Sequence, residues 1–205
     1  MATFGNTSAL EYLPKLETEL GLPAGFLVSL EDDDDWSYVV KLHALLETAV
    51  AHVVIAAIGD KRLEKVIYSL PLGNTRHGKL AIADALEVLG DGGVEYIQFV
   101  TEIRNKLVHR IQNVSFKFKE HFDAIDDESL INLFCKWGYA RIEIGAYKET
   151  LPLLRAKAKT WVHLRALLLL ELIYIERQSK LLEHKHTIAF KTMLEKRMRK
   201  PEKQK

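Results

Sequence analysis

Residues 35–59, DWSYVVKLHALLETAVAHVVIAAIG, decide the fold. Within them Trp36, Val39, Val40, His43, Leu46, Ala49, Val50, Val53, Val54 and Ala57 recur at three- and four-residue intervals, the repeat of a helix with one face turned to a core. Neither proline nor glycine interrupts the pattern before Gly59. At the rise of an α-helix this segment extends about 36 Å, enough to cross a whole bundle. The acidic block ahead of it, Glu31 to Asp35, supplies an N-cap and places negative charge at the positive end of the helix dipole. That reading is preferred to an acidic metal site.

Outward from this segment the helical pattern continues. A short helix is expected over residues 61–69, ended by Pro71 and Gly73, and another over about 76–89. After Gly90, Gly92 and Gly93, residues 94–112 form a strongly amphipathic helix with Tyr96, Phe99, Val100, Ile103, Leu107 and Ile111 on one side. The stretch VSFKF, 114–118, alternates and predicts a short extended linker. Helices resume near His121 and over 127–147, and Pro152 suits the first turn of a further one. From Leu153 to about Met198 the chain has no proline or glycine, which means one very long helix or two in series. The expected architecture is all-α: an N-terminal helical segment (1–30), a helical bundle (31–115), and long C-terminal helices with a basic tail (116–205).

Composition narrows the function classes. With 205 residues, 48% of them hydrophobic, only 5 prolines and 11 glycines, the chain is neither disordered nor collagen-like. A single cysteine, Cys135, excludes an internal disulfide framework and a cysteine-based zinc site, and it fits a reducing compartment. The net charge of +1 selects no partner, although residues 191–205 are rich in Lys and Arg. That tail is either a contact for a nucleic-acid backbone or a solubilising end. The first 17 residues show no basic region followed by an apolar run, so no secretory signal is expected. The most apolar stretch, 166–175, carries Glu171 and is too short to span a bilayer. Being apolar all round, it either packs behind the bundle or joins a partner chain. A soluble cytoplasmic protein, with no membrane partner, is expected.

Two motifs bear on chemistry. Gly73, Gly78 and Lys79 fit the phosphate-cradling pattern G-x-x-x-x-G-K, with Val66, Ile67 and Tyr68 as the strand such a loop would need. Leu80 stands where the pattern requires the Mg²⁺-binding hydroxyl, and no parallel sheet is expected, so a glycine-bearing turn is the better reading. The second motif is RNKLVH, 104–109. Arg104 falls on the flank of the apolar face, while Asn105 and His109, four residues apart, share a polar stripe. A guanidinium can bind a phosphate and stabilise its added negative charge; an imidazole can take a proton from a 2′-hydroxyl or give one to a leaving oxygen. Asn105 can orient the imidazole or bind a phosphate oxygen. Glu47, one turn after His43, either pairs with Arg104 across the bundle or remains an exposed charge. His43 reads as core packing rather than a metal ligand, and His184 and His186 lack ligands at metal-binding spacing. No metal or cofactor is expected.

On these features residues 36–109 resemble the HEPN superfamily, and within it the mannitol-operon repressor type. The resemblance is carried by the long helix KLHALLETAVAHVV (41–54), the connecting segment LPLGNTRHGKLAIADALEVLG (70–90) and IRNKLVH (103–109), which fits R-N-x-x-x-H. It implies a bundle of four or five helices and a homodimer whose motifs face a common cleft. Arg104, Asn105 and His109 would then form the active site of a metal-independent endoribonuclease of toxin or defence type, with RNA as substrate and an antitoxin or other regulatory protein as partner. The repressor-type relatives imply instead a non-catalytic transcriptional regulator or interaction module. The C-terminal helices lie outside the resemblance.

Overall fold

The side chain of Asp34 accepts the amide of Ser37 at 3.0 Å and so starts the central helix α3 (Asp35–Ile58), which Gly59 ends in the left-handed conformation at φ +70°. A computed structural model describes residues 10–74, 76–109, 111–138 and 144–198. Before α3 lie α1 (Leu13–Leu20) and α2 (Phe26–Ser29). After it come α4 (Glu64–Ser69), α5 (Lys79–Ala85), α6 (Gly93–Val108), α7 (Phe118–Asp123), α8 (Asp127–Lys136), α9 (Ile144–Ala156) and α10 (Ala158–Met198). Among the described residues there is no strand, and the protein is an all-α helical bundle.

α3 is the hub, with α10, α6 and α5 packed around it. Tyr38, Leu46, Val50, Val53 and Val54 are wholly buried on it. By length and hydropathy α3 is also the one helix among the described residues that matches a membrane span, which sequence reading placed nowhere. Its apolar side chains face the interior of the bundle, as in the core helix of a soluble protein. One continuous core joins Leu13, Leu27 and Leu30 from the N-terminal segment, the α3 and α6 faces, and Leu169 and Ile173 of α10.

The acidic block does more than cap. Asp35 accepts the amide of Phe118 at 2.8 Å and pairs with Lys159 at 3.3 Å, while Glu31 accepts the hydroxyl of Thr160 at 2.6 Å. These contacts tie the start of α3 to α7 and α10. Two buried carboxylates act likewise at the N-terminus. Glu17 accepts the amides of Gly25 and Leu27, each at 2.8 Å, and Glu171 accepts those of Leu10 and Tyr12 at 2.9 and 2.8 Å.

Local expectations fail where side-chain burial overrides a short pattern. Residues 114–118 are not one extended run: Ile111–Ser115 winds as a 3-10 helix, Lys117 is extended, and Phe118 opens α7. The alternation arises because Phe116 and Phe118 pack edge to face, with ring centroids 5.1 Å apart. Val66, Ile67 and Tyr68 lie within helix α4 rather than a strand. Pro152 sits inside α9 instead of opening a helix, and the chain then breaks at Lys157 before the unbroken run of α10.

Candidate functional site

α3 and α6 bring the motif residues to one side of the bundle. His43 and Glu47, four residues apart on α3, face Thr101, Arg104 and Asn105 of α6 across a cleft of about 660 Å³. The loop carrying Pro71, Gly73, Asn74 and Arg76 forms the remaining wall. The next hollow, about 540 Å³, is lined by Asn105, Lys106, His109 and Asn113. Asn105 therefore borders both hollows, Arg104 opens into the first, and His109 opens into the second from the exposed C-cap of α6.

The glycine-bearing loop does not cradle phosphate. Its amides are turned inward: Gly78 donates to the Asn74 carbonyl at 2.8 Å and Lys79 to that of Pro71 at 3.0 Å, while Arg76 and His77 both donate to the Asn74 side chain at 2.9 Å. A Cβ on Gly78 would meet the Pro71 carbonyl at 2.4 Å, so the loop closes on itself with no room inside. The Lys79 ammonium is buried and all three of its protons are placed, on Glu47 Oε1 at 2.8 Å, on the Tyr68 carbonyl at 3.1 Å and on the Leu70 carbonyl. The pairing of Glu47 with Arg104 does not form, because the Glu47 carboxylate holds Lys79 instead.

Arg104 is left with its charge unneutralised. Its Nη1 donates to Asn105 Oδ1 at 3.1 Å, and among the described residues no carboxylate comes within ion-pair distance. Since Glu47 and Lys79 cancel, Arg104 and Arg76 make the cleft positive, which suits an anion.

Sequence reading assigned His43 to core packing. It is 9% exposed and lines the cleft, with no hydrogen-bond partner among the described residues. Unlike the two ring nitrogens of His163, those of His43 are not sealed away from solvent. Burial lowers the pKa of His43 below 6.5, and the charges of Arg104 and Lys79 lower it further against the opposing effect of Glu47. The imidazole is therefore neutral at neutral pH, the form that can accept a proton. The signal in the sequence was the polar His43–Glu47 pair, one turn apart on a helix rich in apolar residues, together with a motif arginine on the neighbouring one.

Among the described residues no group of three or more His, Cys, Asp or Glu side chains is placed to hold a metal ion. A separate hollow of about 310 Å³ between α3, α4 and α10 contains Arg177 and His184, but Arg177 is paired with Glu19 and His184 with the Ala57 carbonyl. Comparison with family models, curated proteins and solved structures finds no match.

Proposed function

We propose that the chain is a HEPN-like, metal-independent endoribonuclease that grips an RNA phosphodiester with Arg104 and Asn105, between His43 and His109. The observation that carries this reading is the unneutralised Arg104 guanidinium, open to a cleft that also holds an unpartnered imidazole. His43 takes the proton of the 2′-hydroxyl, and the 2′-oxygen attacks phosphorus. Arg104 stabilises the extra negative charge on the phosphoryl oxygens. The bond to the 5′-oxygen breaks, and His109 donates the proton that this oxygen takes up. The products are a 2′,3′-cyclic phosphate and a 5′-hydroxyl. The same reading makes the cytoplasm the compartment, a homodimer the working form and an antitoxin-like protein the regulatory partner.

Incubating varied RNAs with the purified chain in EDTA tests it. Cleavage to cyclic-phosphate ends is expected from the wild type and not from His109→Ala. Equal cleavage by both, or none by either, overturns the reading.

One observation favours a second reading, that of a non-catalytic regulator or interaction module. Within a chain, Arg104 and His109 open into neighbouring hollows rather than one. On that reading the purified protein cleaves no RNA, and recovery of a stable protein partner depends on the α6 surface.

A further inference from the structure

α10 is apolar on two sides. One side, with Val162, Ala166, Leu169 and Ile173, is buried in the bundle core. On the other, Leu168, Leu172, Ile175, Leu182 and Met193 are 39–55% exposed. At about 100° per residue these five fall within an arc of roughly 80°, a stripe about 38 Å long. Their positions belong to one series that alternates steps of four and three, completed by Ser179, His186 and Ala189. This is the heptad seam of a coiled coil.

The bundle does not cover this stripe. From Lys185 to Arg197 every residue of α10 is exposed, so the helix runs on beyond the core with Phe190 on the edge of the stripe, 58% exposed. An unsupported helical segment of that length is marginal in water, and a continuous apolar strip of this kind marks an interaction surface. Six large side chains exposed to about half their area amount to roughly 500 Å² of apolar surface. With the stems of the flanking residues the strip approaches the ~800 Å² that each partner buries in a stable pair.

We propose that α10 pairs with α10 of a second copy of this chain in a parallel, two-stranded coiled coil along the seam from Leu168 to Met193. The polar breaks in the seam select that occupant and orientation. Parallel, in-register strands of two copies set Ser179 against Ser179 and His186 against His186, whereas antiparallel strands overlapping along the same seam set Ser179 against Leu182 and His186 against Ile175. Polar residues at seam positions fix register. None of the residues lining the Arg104 cleft or the His109 hollow lies on α10, so each copy keeps its cleft open. The seam stands whether or not the chain cleaves RNA.

Sedimentation of the full chain, together with disulfide trapping, tests the seam. The wild type is expected to be dimeric at micromolar concentration, and Leu172→Lys and Leu182→Lys to be monomeric with unchanged helicity, since both positions are solvent-facing in the single chain. In a Cys135→Ser background, Leu172→Cys is expected to form an interchain disulfide under mild oxidation, because parallel strands bring the two copies of residue 172 together, whereas antiparallel strands along the same seam hold them about 25 Å apart. A monomeric wild type, or lysine variants that remain dimeric, overturns the proposal. A dimer that the lysines abolish but Leu172→Cys does not trap overturns the parallel seam. The mass reads this inference and RNA cleavage reads the nuclease proposal, so either fails without the other.

Discussion

The ammonium of Lys79 lies 2.8 Å from Oε1 of Glu47, and this half-buried pair joins α5 to α3 directly behind the Arg104 cleft. Side-chain exposure is 2% for the lysine and 38% for the glutamate, so the cation is desolvated while its partner reaches the cleft wall. A buried ammonium is tolerated only when every proton is accepted, and the Tyr68 and Leu70 carbonyls complete the set. The pair shapes the site without itself being offered to a ligand.

Lys79→Met leaves a carboxylate and two carbonyls without their donor. Its expected effect is a loss of about 1–3 kcal/mol of stability, read as a lowered urea midpoint, because the two carbonyls lose their donor while the Glu47 carboxylate can be solvated. The same arrangement predicts no heat of binding for ATP with the wild type. A Lys79→Met variant as stable as the wild type, or saturable ATP binding, contradicts this account of the loop.

Arg104→Ala removes a half-buried side chain that makes one hydrogen bond, to its neighbour Asn105. Stability should change little, whereas RNA cleavage should fall on the order of 10²–10³-fold, the scale of losing a group that stabilises transition-state charge. Arg104→Lys should recover only part, because an ammonium lacks the planar fork. Cleavage unaffected by either substitution removes Arg104 from the mechanism.

His43 gives the cleavage rate a defined pH dependence. As a base it must be neutral, and its pKa in the folded protein lies below 6.5, so the acid limb of the rate profile should lie below 6.5. His43→Gln should abolish that acid limb and most of the activity, and added imidazole should restore part of the rate to His43→Ala. A variant retaining both rate and limb assigns the base elsewhere.

Stability should follow pH with the same sign. Burial is the leading cause that lowers the pKa of His43, His52, His121 and His163 from 6.5. Below 6.5 the unfolded chain therefore binds protons that the folded chain refuses, and stability present above that pH is lost as pH falls toward the folded values. Thermal melts should show a lower midpoint at pH about 5 than at about 7.5, and the His163→Phe variant a smaller drop. An unchanged midpoint across that window contradicts the burial of these rings.

Gly92 separates two effects of glycine. Its φ is +69°, and a Cβ there would stand 2.3 Å from the backbone carbon of Trp137. Gly90 has φ +65° with open space around it. Gly90→Ala should cost about 1 kcal/mol from backbone strain alone, and Gly92→Ala distinctly more, because the Trp137 turn must also move. Equal losses in denaturant melts would falsify the close approach.

Helix existence was legible from residue order because it depends on neighbours within a few positions. The periodic face of α3, its start at the Asp34 cap, its end at Gly59 and the amphipathic run of α6 all follow from local spacing. Short patterns were weaker guides. Two phenylalanines packing edge to face mimicked a strand at 116–118, and Pro152 was absorbed within α9 because a single missing amide does not outweigh the burial of Leu151 and Leu154 around it. The site was half visible: Arg104, Asn105 and His109 could be named from their spacing, but His43, lying on the apolar face of α3, read as core packing.

Local spacing thus specified the helices and placed a guanidinium and an imidazole on one of them. Only packing over long distances in the chain chose the partner of Glu47, turned His43 toward the Arg104 cleft and left the outer stripe of α10 uncovered. The division has a physical cause. Hydrogen bonds and apolar contacts one turn apart are written in consecutive residues, whereas desolvation and charge pairing depend on which surfaces meet. Glu47 and Lys79 meet across α3 and α5 from 32 positions apart, and no local pattern records that encounter.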